Sequence, residues 1–458
     1  MTKESDRILD IAMEWVWMVL DAGLMMLAQP FYYISVILIG ILYRRQVLLE
    51  RMLFHVRVNG WQSQTLRTML GGLVAGLGVS VMMAFLGITL TMSAVLCLWA
   101  ASLLLMLFRV RFLCFAYAAG LLGIVQSVLG WFPGWQPEGW LGSVHTALLN
   151  LNVPSLLALA AVLHLAEAGL VMLQGGRFAS PLFLEGKRGK LVGGYQMQSF
   201  WPLPLFLLVP SAGGPMLPWT PFFGGDAWMS GAGIAALPVL IGFGEMTQSM
   251  LPKQKAVISG KRLVIYSSIV LMLSLLADWW PPLMLAAALA APLLHEGLAW
   301  YSRYEEQQRS PLFVHPPKGL KVLAVLPGSP AEELGILAGE TILKVNGTLV
   351  RSKEQLHAAL RQNAAFCKLE VQNYEGESKF MQRAIYAGEH HQLGVILSPD
   401  PDAGLAVRLK PLSIAGLLGM KWSLKNKMTA EEEGAETRTP AGKGSPAAAG
   451  LEKDSLEM

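Results

Sequence analysis

This sequence is short of charge, short of cysteine and short of every motif that carries turnover chemistry. Asp, Glu, Lys and Arg make up 15% of its 458 residues against 53% hydrophobic residues, a balance that excludes an ordinary soluble globular chain. The net charge of +4 is small and gathers in no long basic stripe, so nucleic acid is not an expected partner. Three cysteines, Cys97, Cys114 and Cys367, cannot build a paired framework and show no metal-ligand spacing. They read as inert buried thiols in a reducing compartment. No cleavable signal is expected, because residues 3–10 mix both charge signs and Glu14 and Asp21 interrupt the apolar run behind them. No Gly-x-Ser-x-Gly elbow, phosphate-binding loop or dinucleotide fingerprint occurs. His295-Glu296 opens like the zinc motif His-Glu-x-x-His, but Ala299 stands where the second histidine belongs. The expectation is a chain that is not an enzyme, with no cofactor and no resident metal.

What is present is a series of long apolar segments punctuated by basic loops. Residues 8–29 carry Asp10, Glu14 and Asp21, with Ile11, Trp15, Met18 and Ala22 on one helical face. The first unit, 1–30, is therefore expected as an amphipathic or re-entrant helix. A multi-span unit over 22–300 follows. Residues 31–43 span together with 22–30, and 68–108 carry no charge and hold two spans joined near 87–91. Further spans are expected at 112–129, 153–173, 200–217, 231–250, 263–277 and 283–300. Arg44, Arg45, Arg51, Arg57 and Arg67 fill one loop, Arg109 and Arg111 another, then Arg177 to Lys190, then Lys253 to Arg262. The loops between them lack basic residues, and Trp131, Trp135 and Trp140 suit an interfacial belt. The positive-inside rule then puts the basic loops and everything after residue 300 in the cytoplasm. The tally is about nine spans, or about eight if the first is re-entrant or interfacial.

Residues 320–347 change the pattern. Leu320, Val322, Ala324 and Leu326 alternate as a half-buried strand does. Pro327-Gly328-Ser329-Pro330 is a turn with Pro330 fit to begin a helix, Gly335 suits a left-handed cap, and Asn346-Gly347 follows a second strand as a hairpin turn. Ser352 can cap a helix to Gln362 that buries Leu356, Ala359 and Leu360. This phrase resembles a bacterial PDZ domain, covering 312–398. The resemblance implies a groove in which a peptide or strand adds to a sheet edge, beside a turn whose amides receive a carboxylate. Two turns qualify. Gly319-Leu320 precedes the first strand, and Leu393-Gly394-Val395 resembles the family's hydrophobic-Gly-hydrophobic loop at the far end of the domain. The second order resembles circularly permuted bacterial PDZ domains and is preferred, with Val395, Ile396 and Leu397 as the edge strand; the alternative is a final strand that only closes the sheet. His357 lies on the helix that would form the opposite wall.

Four ionisable residues fall inside expected spans: His164 with Glu167 one turn later, and His295 beside Glu296. Such groups are costly in a membrane and find partners, so a structural polar cluster across the bundle is expected. Glu245, near the end of its span, is expected to snorkel to water. Gly71, Gly72, Gly76 and Gly78 read as a close helix-packing face. Residues 399–427, with Arg408, Lys410, Lys421, Lys425 and Lys427, read as a basic amphipathic extension, either a short helix on anionic lipid or a loosely packed continuation of the PDZ domain, and 428–458 as a disordered tail.

The fold class is thus an α-helical polytopic membrane bundle followed by an α+β PDZ domain, permuted. That order of parts, without protease residues, resembles the MinJ family of Gram-positive cell-division proteins. The resemblance implies a membrane-anchored adaptor at septum and poles that joins a DivIVA-like polar scaffold to a MinD-like ATPase and so helps place the septum. A homo-oligomer is compatible with it. Two other classes stay open: a PDZ-containing intramembrane protease or its inactive relative, and a transporter, for which Pro154, Pro202, Pro204, Pro238 and Pro292 would break spans.

Overall fold

A computed structural model describes residues 2–400 apart from 89, 187–188, 218, 224–227, 230, 364–365 and 385–392. The basic extension beyond residue 400 and the tail at 428–458 lie outside the described residues. Helices α1 (Thr2–Ala28), α2 (Pro30–Phe54), α3 (Trp61–Leu86), α4 (Met92–Phe108), α5 (Phe115–Gly130), α6 (Trp140–Leu149) and α7 (Val153–Leu170) come first. Their limits follow local chemistry. Pro30 begins α2, Gly87 at φ 70° ends α3, and Thr91 and Asn152 accept backbone N–H bonds at the starts of α4 and α7. The α3–α4 joint falls in the turn expected from sequence. A π turn, Val171–Gly175, extends α7. After a three-stranded sheet come α8 (Pro252–Trp279) and α9 (Met284–Gln308). Among the described residues five segments are long and apolar enough to cross a membrane: Pro30–Phe54, Trp61–Leu86, Val153–Gly175, Pro252–Trp279 and Pro281–Gln308. The apolar helices α4 and α5 are shorter. Central in the bundle is α7, whose Leu157, Leu159 and Leu163 are buried on different faces, as befits a helix that is apolar all round.

Two expected spans are not helices. Residues 200–217 and 231–250 fall largely in strands β2 (Leu191–Pro210) and β3 (Ala232–Thr247), paired antiparallel with Pro202 opposite Leu240 and Pro204 opposite Pro238. A short β1 (Ser180–Glu185) pairs with the start of β2. Composition and length alone suggested helices; the proline spacing explains the strands. Pro202 and Pro204, two apart, put their missing N–H groups on one edge of β2. The flanking N–H groups on that edge are taken by side chains: Phe200 donates to Tyr43 Oη at 3.2 Å and Phe206 to Ser80 Oγ at 2.9 Å. No strand is needed there, and the backbone stays satisfied, as apolar surroundings demand. Facing this edge is α3. A Cβ on Gly76 would lie 2.6 Å from the Pro204 carbonyl oxygen, and one on Gly72 would run into that of Pro202. These glycines therefore serve a strand edge rather than a second helix. The hairpin follows α3 to its end, where Phe223 N donates to the Leu86 carbonyl at 2.7 Å.

The polar junction below the hairpin also departs from expectation. Glu245 does not simply reach outward: it accepts from Ser259 Oγ at 2.6 Å and lies 3.8 Å from Lys255, which is fully buried. Lys255 also donates to Ser302 Oγ at 2.8 Å and lies 3.6 Å from Glu306. Glu306 in turn caps the backbone N–H groups of Gln248 and Ser249 at the end of β3.

The C-terminal domain has a sheet in the order β8-β7-β5-β4-β9, with β6 paired to β5. Its elements are β4 (Leu320–Val325), α10 (Pro330–Glu333), β5 (Thr341–Val345), β6 (Thr348–Leu349), α11 (Lys353–Arg361), β7 (Phe366–Gln372), β8 (Ser378–Ala384) and β9 (Val395–Leu397). Ser329 caps α10, Asn346 and Gly347 both have positive φ in the β5–β6 turn, and Ser352 caps α11. Leu356, Ala359 and Leu360 are buried. The domain docks on the apolar hairpin. Gly193 N donates to Phe313 O at 2.8 Å, Tyr195 Oη hydrogen bonds the Leu323 carbonyl, and Phe313, Leu323 and Ile396 join the hairpin's core.

Candidate functional site

The terminal strand of the sheet is β9. It pairs antiparallel with β4, Val325 opposite Val395 and Ala324 opposite Ile396. Its other edge carries no strand among the described residues. Residues alternate about it: Val395 and Leu397 pack toward the C-terminal domain's own core, Ile396 toward the hairpin. Leu393 is buried in the domain core, and its carbonyl accepts from Ala331 N at 2.9 Å. Gly394 accepts from Leu326 N at 2.9 Å and sits at φ 77°. A Cβ there would strike Ser329. Glycine at 394 is thus required by the chain itself, through its left-handed backbone and the closeness of Ser329, before any ligand is considered.

Gly319 and Leu320 sit differently. Gly319 has φ 81°, and a Cβ there would lie 2.6 Å from the Ile342 carbonyl. Leu320 is buried opposite Ile342, and β4 is flanked by β5 on one side and β9 on the other. An incoming strand finds no open edge at this turn. His357 is half-buried on α11. Burial, and then the positive charges of Lys353 and Arg361, hold its imidazole below the usual histidine range.

The ionisable residues of the expected spans converge on a second place. The rings of His164 (α7) and His295 (α9) lie 5.2 Å apart, with Tyr266 of α8 at 5.3 Å from the first and 5.5 Å from the second. Tyr117 Oη lies 3.0 Å from both His295 Nδ1 and Glu296 Oε2, and Arg111 pairs with Glu296. Glu167 is buried one turn beyond His164. Sequence reasoning missed Arg111, Cys114, Tyr117 and Tyr266. Cys114, read as an inert thiol, has its Sγ 3.0 Å from His164 Nε2. The one signal for these partners was the arginine pair at 109 and 111 beside the start of α5. Their partners lie far away in sequence.

The PDZ domain family matches residues 321–372. The cell division topological determinant MinJ of Bacillus subtilis is 30% identical over 401 residues, covering 85% of this chain and 97% of the relative. This chain belongs to the MinJ family. A probable cell division topological determinant MinJ of Lacticaseibacillus paracasei is 25% identical over 348 residues, covering 72% of this chain and 85% of the relative. No solved structure matches the chain. MinJ relatives are named topological determinants, a role that needs no turnover chemistry, and the match places the PDZ domain of this MinJ-family chain on the sheet that holds β4, β5 and β7.

Proposed function

We propose that the chain is a membrane adaptor of division-site selection, with its PDZ domain on the cytoplasmic face, bridging a DivIVA-like scaffold and a MinD-like ATPase at septum and poles. The observation that carries this reading is the outer edge of β9, which pairs with no strand among the described residues, on a domain held against the bundle. A peptide or exposed strand that pairs with β9 would be fixed in orientation to the membrane. Orientation is supported by the basic loops. At roughly 3.3 Å per residue, a 16-residue strand such as β3 is about 50 Å long, enough to pass the hydrocarbon core once, so that β2 and β3 together would cross and return as two helices would. In this reading the hairpin takes the place of two helices, and the parity of crossings inferred from charge is kept.

The groove in this reading is permuted, with Leu393, Gly394, Val395 and Ile396 on one side and His357 of α11 on the other; Gly319 and Leu320 serve the sheet interior. In the test, purified full-length protein in detergent is mixed with the scaffold and the ATPase of the same organism. Retention of the ATPase on immobilised scaffold should require the chain. His357→Asp should lower retention of the groove's partner about tenfold, near 1.4 kcal/mol, without moving the thermal midpoint. Retention of neither partner, or ATPase retention equal with and without the chain, would sink the bridging reading. Equal retention of both by His357→Asp would remove the groove from it.

A further inference from the structure

We propose that the meeting point of α5, α7 and α9 is a binding site for a borderline-soft divalent cation of the zinc class, held by Cys114 Sγ, His164 Nε2 and His295 Nε2. One ligand atom from each of these three residues lies within 4.8 Å of the others. The three come from segments about 50 and 130 residues apart, so the convergence is the work of the fold alone.

The hydrogen bonds fix which nitrogens are free. His164 Nδ1 is 2.6 Å from the Ala160 carbonyl, which can only accept. That nitrogen carries the proton, and Nε2 keeps its lone pair, directed at Cys114. For His295 the argument runs through Tyr117. A carboxylate accepts, so Tyr117 donates its proton to Glu296 and its oxygen accepts from His295 Nδ1–H. The second lone pair of that oxygen receives Arg111. His295 Nε2 is then the nitrogen with a lone pair to give. Each imidazole is thus oriented through its other nitrogen, one by a backbone carbonyl and one by a tyrosine–carboxylate relay, the outer-shell arrangement typical of metal-bound histidines.

The donor set and its charge point to the ion. One thiolate and two neutral imidazoles suit zinc, with bonds of about 2.3 Å to sulfur and about 2.0–2.1 Å to nitrogen. A tetrahedron of those bonds holds its ligand atoms roughly 3.3–3.6 Å apart, so the Cys114–His164 pair, now at 3.0 Å, would open slightly and any wider separation within the 4.8 Å group would close. Glu167, on the same face of α7 as His164, is buried. Among the described residues it makes no ion pair with lysine or arginine. A cation offsets the charge of the thiolate, which gives up its proton on binding. Without a His-Glu-x-x-His face the ion is a tie between three helices rather than a hydrolytic centre.

The test uses the full-length protein in nanodiscs, stripped with chelator and then offered zinc or cobalt at micromolar concentration. The expected result is roughly one metal per chain by elemental analysis, and with cobalt a sulfur-to-metal charge-transfer band in the near ultraviolet. Cys114→Ser, close in shape, should lose the band and most of the metal. His164→Ala should also lose the metal, and Cys97→Ser should keep both metal and band. Removing metal from the native chain should lower its thermal midpoint to that of Cys114→Ser. No uptake by the native chain, a cobalt complex without the sulfur band, or metal retained in Cys114→Ser would overturn the site. His164→Ala is scored only if it elutes as a single species; if it does not, the Cys114→Ser comparison decides.

Discussion

At the scale of single residues, the PDZ domain separates positions that hold the fold from those that face a ligand. Leu356→Asp places a charge in a site 2% exposed, which should cost about 4 kcal/mol or more and appear as rapid limited proteolysis of the domain. Gly394→Val is less selective. It forces a branched side chain into φ 77° and against Ser329, so a loss of about 2 kcal/mol or more is expected, along with loss of binding. His357 gives a pH signature. Its folded pKa lies below the ordinary 6.5, so below about pH 6.5 the unfolded chain takes the proton first. Its contribution to stability is complete above that value and declines as pH falls through it. Thermal midpoints at about pH 7.5 and 5.5 should therefore drop further in the native chain than in His357→Gln; equal drops would refute the assignment. In the same domain, burial pushes the Cys367 thiol up to about 11, and it should resist alkylation until the domain is unfolded.

The element that distinguishes this architecture is the apolar hairpin against α3. Its edge is closed by two prolines and two side-chain hydroxyls, and each device can be removed singly. Ser80→Ala leaves the Phe206 N–H without its acceptor and should destabilise by about 1–3 kcal/mol. Gly76→Leu drives a side chain into Pro204 and should do worse, separating hairpin from helix. Gly78→Leu meets open space and serves as the control. Thermal midpoints in a single detergent would rank the three; a Gly78→Leu as damaging as Gly76→Leu would contradict the strand-edge role of the glycine.

For the whole molecule the decisive contact is the dock between hairpin and PDZ domain. Phe313 is fully buried there, and Phe313→Ala should cost about 3–5 kcal/mol at the interface, seen as protease cutting between α9 and β4 while both parts stay folded. The adaptor reading also commits to sidedness. Reporter fusions at Lys318 and Gly186 should report the cytoplasm, and one at Pro137 the outside. An external Lys318 would defeat a cytosolic partner.

Much of this was legible before any coordinates. The PDZ phrase specifies itself because each local choice acts over a few residues: a capping serine at 329 and at 352, positive-φ positions at 335 and 347, apolar residues at strand or helix spacing. The helices α3, α4 and α7 were legible for the same reason, since long apolar runs with few charges, bounded by Gly87, Thr91 and Asn152, leave little choice. Hydropathy could not tell a buried strand from a buried helix at 200–210 and 232–247, because both are apolar on all sides. There the outcome depended on α3 offering two glycines and a serine to a strand edge. Nor could sequence bring Cys114 to His164 or show that Gly319 faces the sheet interior, although it favoured residues 395–397 as an edge strand, beyond which no strand lies among the described residues. Those facts are set by which segments pack together, a long-range matter that local propensity does not encode.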